Sequence, residues 1–197
     1  MIPIFLLELF FITTSSFPLR FNDNHTLVIL QLTDLHYNSG DSKDNAHTVE
    51  LTKKLLQYVK PDLVVATGDI VDAQGDAADY KEMWNLFVSP FNEAQIPYAM
   101  VPGNHDYDKG QSIEDVFGID SGNPLAYSKY SQSGKFDYYV PIESRFRDNT
   151  TVANLWFLDS GGYGCENNQY SFGCITNSQV EWFKEQNKEI RDEYGPI

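Results

Sequence analysis

Leu27-Val28-Ile29-Leu30-Gln31-Leu32 is an apolar run that leads through Thr33 into Asp34-Leu35-His36. It is too short for an ordinary helix and does not alternate, so it reads as a strand buried on both faces. The arrangement recurs twice. Leu63-Val64-Val65-Ala66 leads into Gly68-Asp69, and Pro97-Tyr98-Ala99-Met100-Val101 leads into Gly103-Asn104-His105-Asp106. Between the runs, Val49, Leu51, Leu55, Leu56 and Val59 recur at helical spacing up to Pro61. Tyr80, Met83, Trp84, Leu86 and Phe87 predict a second helix that ends before Pro90. Pro97 fits a strand only at its start. The alternation implies βαβ crossovers and an α/β sheet.

After a long loop, Asp137–Val140 and Asn154–Leu158 read as further strands. A last helix, capped by Thr176 or Ser178, carries Val180, Trp182 and Phe183. No internal repeat or low-complexity tract is present.

The polar residues sit where strands end. In an open α/β sheet, ligands gather beyond the carboxyl ends of parallel strands. Three strand tips would therefore bring two carboxylates, two imidazoles and a carboxamide to one crevice. Asp34 and His36 are two apart, so in an extended segment they point the same way. Gly68 and Gly103 permit tight turns before the polar residues. Oxygen and imidazole donors suit Zn, Fe or Mn. A carboxylate such as Asp69 has two oxygens and can bridge two ions, and paired ions clamp a phosphate and activate a water. Taken singly, Asp34, His36, Asp69 and His105 are ordinary loop residues. Their order, each set after an apolar strand, carries the signal.

The chain has 197 residues, 42% of them hydrophobic, which suits one domain rather than a disordered tract. Asp and Glu number 28 against 14 Lys and Arg, a formal charge of −14. That field argues against a nucleic-acid partner bound through its phosphates. It leaves room for a phosphorylated substrate, because bound metal ions invert local charge. Neither GxGxxG after the first strand nor a Walker-type GKS/GKT occurs, which disfavours a nucleotide-binding module.

Residues 1–16 hold a short apolar run followed by Thr13-Thr14-Ser15-Ser16, and read as a secretory signal peptide. Glu8 and the lack of an early Lys or Arg leave a buried N-terminal helix as the competing reading. The run is short for a membrane span, so no membrane association is expected after signal removal. Asn24-His25-Thr26 and Asn149-Thr150-Thr151 fit the glycosylation pattern. The expected location is outside the cell or in an endomembrane or vacuolar lumen. There Cys165 and Cys174 would form a small loop disulfide, the alternative being two reduced thiols. Without CxxC spacing or a nearby His, they do not suggest structural zinc.

Asp34-Leu35-His36, Gly68-Asp69 and Gly103-Asn104-His105-Asp106, in that order, resemble the calcineurin-like metallophosphoesterases. The phrases QLTDLHY, PDLVVATGD, VPGNHDY and LWFLDSGGYG are most similar to the extracytoplasmic branch related to purple acid phosphatases. The resemblance implies a partial metallophosphoesterase β-sandwich flanked by helices, with βαβ units carrying the metal loops and the C-terminal strands missing. It implies a phosphoesterase domain over 17–197, as the N-terminal portion of the family's domain. It implies two divalent or trivalent ions (Fe, Zn or Mn), with Asp34 and His36 on the first, Asp69 bridging, and Asn104 on the second. A metal-bound hydroxide would attack phosphorus in line while His105, not a ligand, assists the leaving oxygen. Asp72 would orient His105, as an Asp at that spacing does in the protein serine/threonine phosphatases, or stand as a solvated loop residue. Purple enzymes carry a metal-binding Tyr at the position of Asp72, so a tyrosinate-iron centre is not expected. Asp106 is read as holding its turn and Asp159 as structural or rim. Tyr107, Tyr163 and Tyr170 are candidates for a substrate mouth.

The departure is C-terminal. The family supplies three more imidazoles from a lone His and a Gly-His-x-His, and no His follows His105 before Gly195-Pro196-Ile197. The expectation is thus a metal-dependent phosphoester hydrolase, with a catalytically inactive truncated paralogue or an incomplete gene model as the alternative.

Overall fold

The three apolar runs pair side by side in parallel. In the computed structural model, which describes residues 18–72, 77–110, 112–131, 136–147, 150–165 and 168–195, β2 (Ile29–Leu32), β3 (Leu63–Thr67) and β4 (Tyr98–Val101) form one sheet with β3 in the middle. The signal-peptide segment and Asn149 lie outside the described residues. A two-residue strand, β1 (Leu19–Arg20), precedes this sheet.

Burial corrects one expectation. Leu63, Val64, Ala66, Tyr98, Ala99 and Met100 are buried, as doubly covered strands require. In β2 only Leu32 is buried, and Ile29 and Gln31 face solvent. Its position at the sheet edge, with β3 on one side only, is the reason.

The crossovers are α1 (Ser42–Val59) and α2 (Ala77–Ala94). The first begins a full two turns before its apolar periodicity, because Asp41 caps it by accepting the Asp44 amide at 3.2 Å. It ends at Lys60, whose φ of 51° turns the chain before Pro61. The second does not stop at Pro90 but continues to Ala94. Pro90 leaves the Leu86 carbonyl without its helical amide donor. The Ser89 hydroxyl donates to that carbonyl at 2.9 Å instead. Phe91, one residue on, is fully buried and packs its ring on Phe87 and Tyr98, 5.1 and 5.4 Å away, so burial favours continuing the helix.

The long loop contains a 3-10 helix, His105–Gly110, and α3 (Ile113–Asp120), which opens on a reciprocal Ser112/Asp115 capping box. Next, β5 (Tyr138–Glu143) pairs antiparallel with β6 (Thr151–Phe157) and parallel with β1, forming the second sheet. The two sheets share one core. Tyr138 stacks on Phe157 at 4.6 Å and donates its hydroxyl to the Met100 carbonyl of β4 at 2.6 Å.

A hairpin follows, β7 (Tyr163–Cys165) against β8 (Asn168–Phe172), closed by a Cys165–Cys174 disulfide. Then α4 (Asn177–Tyr194) is capped by Thr176 rather than Ser178. Gln179 in its first turn is buried and donates to Asp137 Oδ1 at 2.8 Å and to the Asp159 carbonyl at 2.6 Å, which ties the helix start to the second sheet. The architecture is the expected α/β arrangement of two sheets with flanking helices.

Candidate metal centre

The loops beyond β2, β3 and β4 are laced together by their backbones. Asp34 N–H donates to Gly68 O, His36 N–H to Asp69 O and Tyr37 N–H to Ile70 O, at 2.9–3.1 Å. The third loop joins through a buried carboxylate. Asp106 accepts from Ile70 N–H, Val71 N–H and Gly103 N–H at 3.1, 2.9 and 2.8 Å. Asp106 therefore holds more than its own turn: it fastens the second loop to the third. Burial pushes its carboxyl up to about 6, and the three amide donors moderate that rise.

Glycine is required at this junction. A Cβ on Gly68, at φ 97°, would lie 2.7 Å from Gly103 Cα. A Cβ on Gly103 would collide with Asp69. Only two hydrogen side chains let these strand tips approach so closely.

Asp34, His36 and Asp69 each offer a donor atom within 4.8 Å of the others. All three are left-handed, with φ of 54°, 48° and 51°. Asp and His tolerate that region better than most residues, but three together mark stored backbone strain. Each carboxylate has one oxygen anchored. Thr33 Oγ1 donates to Asp34 Oδ2 at 2.6 Å, and His105 N–H donates to Asp69 Oδ1 at 3.0 Å. The opposite oxygens, Asp34 Oδ1 and Asp69 Oδ2, lie 3.9 and 4.0 Å from His36 Nε2. These gaps are too long for hydrogen bonds. They fall near the roughly 3–4 Å separation of donors that share one ion at about 2.1 Å. The three donors therefore fit a divalent cation on spacing and on chemistry.

Asn104 lines the same cleft, of about 200 Å³, with Asp34 and Asp69. Its amide nitrogen donates to the Tyr163 hydroxyl at 3.2 Å, leaving the carbonyl oxygen as the acceptor on the other arm. His105 stands beside the cluster, its ring centroid 5.0 Å from that of His36. The His105 Nδ1 atom is 2.8 Å from Asp108 Oδ2. Asp72 lies with His105 and Asp108 in a second group whose polar atoms are mutually within 4.8 Å. Asp72 thus stands close enough to act on His105, while the Nδ1 side of the ring is held by Asp108. Partial burial would lower the imidazole pKa, but the Asp108 hydrogen bond and the charges of Asp69, Asp108 and Asp72 outweigh it and raise the value.

The fold accordingly collects Asp34, His36, Asp69, Asn104, His105 and Asp72 at one end of one sheet. The sequence reading passed over Asp108, although its i+3 spacing from His105 was a usable signal. Asp159 is fully buried. It accepts from Tyr107 Oη at 2.5 Å and from Gly161 N–H at 2.7 Å, so it braces the third loop against the chain leaving β6.

Comparison with known proteins identifies the family of the chain. The sequence model described as calcineurin-like phosphoesterase matches residues 27–195. An Arabidopsis thaliana protein named "Probable inactive purple acid phosphatase 29" is 28% identical, over 90% of this chain and 51% of its own length. The Saccharomyces cerevisiae "Phosphatase DCR2" is 27% identical, over 94% of this chain and 34% of its own. The Escherichia coli "3',5'-cyclic adenosine monophosphate phosphodiesterase CpdA" is 25% identical, over 79% and 48%. The chain spans about half the length of the plant relatives it matches. With the family's sequence model running from β2 through α4, over the loops that gather the donors, the chain belongs to the calcineurin-like phosphoesterase family.

Proposed function

We propose that the protein is a metal-dependent phosphoester hydrolase of the dinuclear type. The observation that carries the reading is the convergence of Asp34 Oδ1, Asp69 Oδ2 and His36 Nε2, each carboxylate having its other oxygen anchored. Asp34 and His36 would hold one ion, Asp69 would bridge, and Asn104 would offer its amide oxygen to the second. Bound ions of this class supply Lewis acidity to phosphoryl oxygens and a nucleophilic water at neutral pH.

The chain's own residues do the rest. Asp69 is fixed by the His105 amide and presents its free oxygen to the cleft. The carboxylates around His105 raise its pKa, which favours the protonated ring, and His105 would donate a proton to the departing oxygen. Asp108 holds the Nδ1 side of the ring, which leaves Nε2 as the atom that gives up the proton. The disulfide and the extracytoplasmic branch of the resemblance favour a secreted or luminal location. No described helix is long and apolar enough to cross a membrane.

A second reading is a metal-binding relative without turnover. It is favoured by the donor count, since His36 is the one imidazole in the three-donor group, and by relatives whose names carry the word "inactive". One experiment separates the two. The full chain is titrated with Zn²⁺ or Mn²⁺, and hydrolysis of an aryl phosphate is followed alongside metal stoichiometry. Saturable binding with metal-dependent turnover, both lost in Asp69→Asn, supports the hydrolase. Saturable binding without turnover supports the second reading, and unchanged stoichiometry in Asp69→Asn rejects the bridging role.

A further inference from the structure

The donor cleft has one wall of a different character. Tyr163 and Phe172 are cross-strand partners on the β7–β8 hairpin, with ring centroids 6.1 Å apart and planes inclined by 28°. Phe172 lines the cleft that holds Asp34, Asp69 and Asn104, and Tyr163 accepts the Asn104 amide hydrogen. Yet Phe172 is 70% exposed and Tyr163 57% exposed. Two large rings thus stay open to solvent beside the Asp34 and Asp69 carboxylates.

Their placement is fixed from several sides. The Cys165–Cys174 bridge closes the hairpin. Gly173, next to Phe172, donates its N–H to Gly162 O at 3.1 Å. A Cβ there would lie 2.7 Å from the Gly161 carbonyl carbon, so the hairpin seats directly on the chain beyond β6. Rings held this way lose little conformational freedom when a flat partner stacks on them. Among the described residues no Lys or Arg lines the cleft, so a substrate's organic group meets the rings rather than a cation.

We propose that Tyr163 and Phe172 form a stacking platform that selects phosphoesters whose organic group carries a flat aromatic ring, either an aryl group or a nucleobase. The proposal rests on the phosphoesterase reading and names its substrate class. The charge of −14 restricts it to small esters, since a polyanionic strand would be repelled.

Binding of non-reacting compounds tests this without reference to turnover. Dissociation constants are measured by 31P NMR on the Zn²⁺-loaded full chain for inorganic phosphate and for two matched pairs. Phenylphosphonate is set against cyclohexylphosphonate, and the 5′-methylenephosphonate analogue of adenosine 5′-monophosphate, in which CH2 replaces the ester oxygen, against the same analogue of ribose 5-phosphate. In at least one pair the aromatic member should bind about tenfold more tightly, and the pair that shows it identifies the aryl or nucleoside class. Phe172→Leu should bring the ratio to about twofold or less, while Tyr163→Phe, which keeps the ring, should retain it. Equal affinities within both pairs overturn the platform, as does a preference untouched by Phe172→Leu. Phosphate binding without ring preference rejects the platform alone. Failure of phosphate to bind at saturating Zn²⁺ rejects the phosphoesterase reading and the platform with it.

Discussion

The β2–β3–β4 sheet and the β7–β8 hairpin face the same cleft, but they are held by different forces. Around the sheet, backbone hydrogen bonds, the buried Asp106 carboxylate and the Gly68/Gly103 contact lock three loops to one another. The hairpin has exposed rings, one covalent bridge and a seat on the chain beyond β6. The first region has almost no freedom to change without losing its donors. The second can exchange side chains at low cost, which is where selectivity among substrates belongs.

This contrast can be broken in graded steps. The largest effect is expected at His105. His105→Ala should lower turnover about a thousandfold while metal content stays at the native level. Equal losses of both, read by metal analysis beside steady-state kinetics, would contradict its separation from the ligands.

Next comes Asp106→Ala, which strands three buried amides. It should cost about 3–5 kcal/mol in denaturant unfolding and weaken Zn²⁺ binding, although Asp106 touches no proposed ion. A loss below about 1 kcal/mol would mean the loops are not fastened through this carboxylate.

Replacing both Cys165 and Cys174 by Ser should cost less, about 2–3 kcal/mol. The loss should be local. Amide exchange should accelerate in Tyr163–Phe172 and remain slow in Leu63–Thr67. Equal acceleration in both would show that hairpin and sheet are one cooperative unit.

The smallest effect concerns Asp120, buried beneath α2 and bonded to Tyr98 Oη at 2.6 Å. Burial raises its carboxyl to about 6, against the Tyr98 hydrogen bond that lowers it. The fold therefore binds a proton that the unfolded chain has already released at pH 5. Its contribution is complete below pH 4 and is lost as pH rises through 6. Asp106 titrates in the same direction. Asp120→Asn should remove about 1–2 kcal/mol of the decline between pH 4 and 7, seen by comparing unfolding free energies of the two proteins across that range. An unchanged slope would place the decline elsewhere.

Much of the sheet-bound region is readable along the chain. Short apolar runs ending in Asp-x-His, Gly-Asp and Gly-Asn-His-Asp announce both the strands and the residues at their tips. The reading fails where a distant group overrides a local rule. Pro90 should end a helix, but the Ser89 hydroxyl replaces the missing donor and Phe91 finds a buried seat. The run from Leu27 to Leu32 is apolar enough for the interior, yet it lies at an edge because β3 pairs on one side only. The Asp108 contact with His105 Nδ1 is local instead, made by a 3-10 turn that brings residues three apart together.

The order and chemical type of the donors belong to the sequence, since strand propensity and residue identity are local properties of the chain. Tertiary structure alone decided that Gly68 and Gly103 touch, that Asp106 ties two loops, and that Tyr163 and Phe172 stand open at the mouth of the donors' cleft. These are contacts between segments far apart along the chain. Their geometry follows from how the sheets, helices and hairpin pack, which no local pattern encodes.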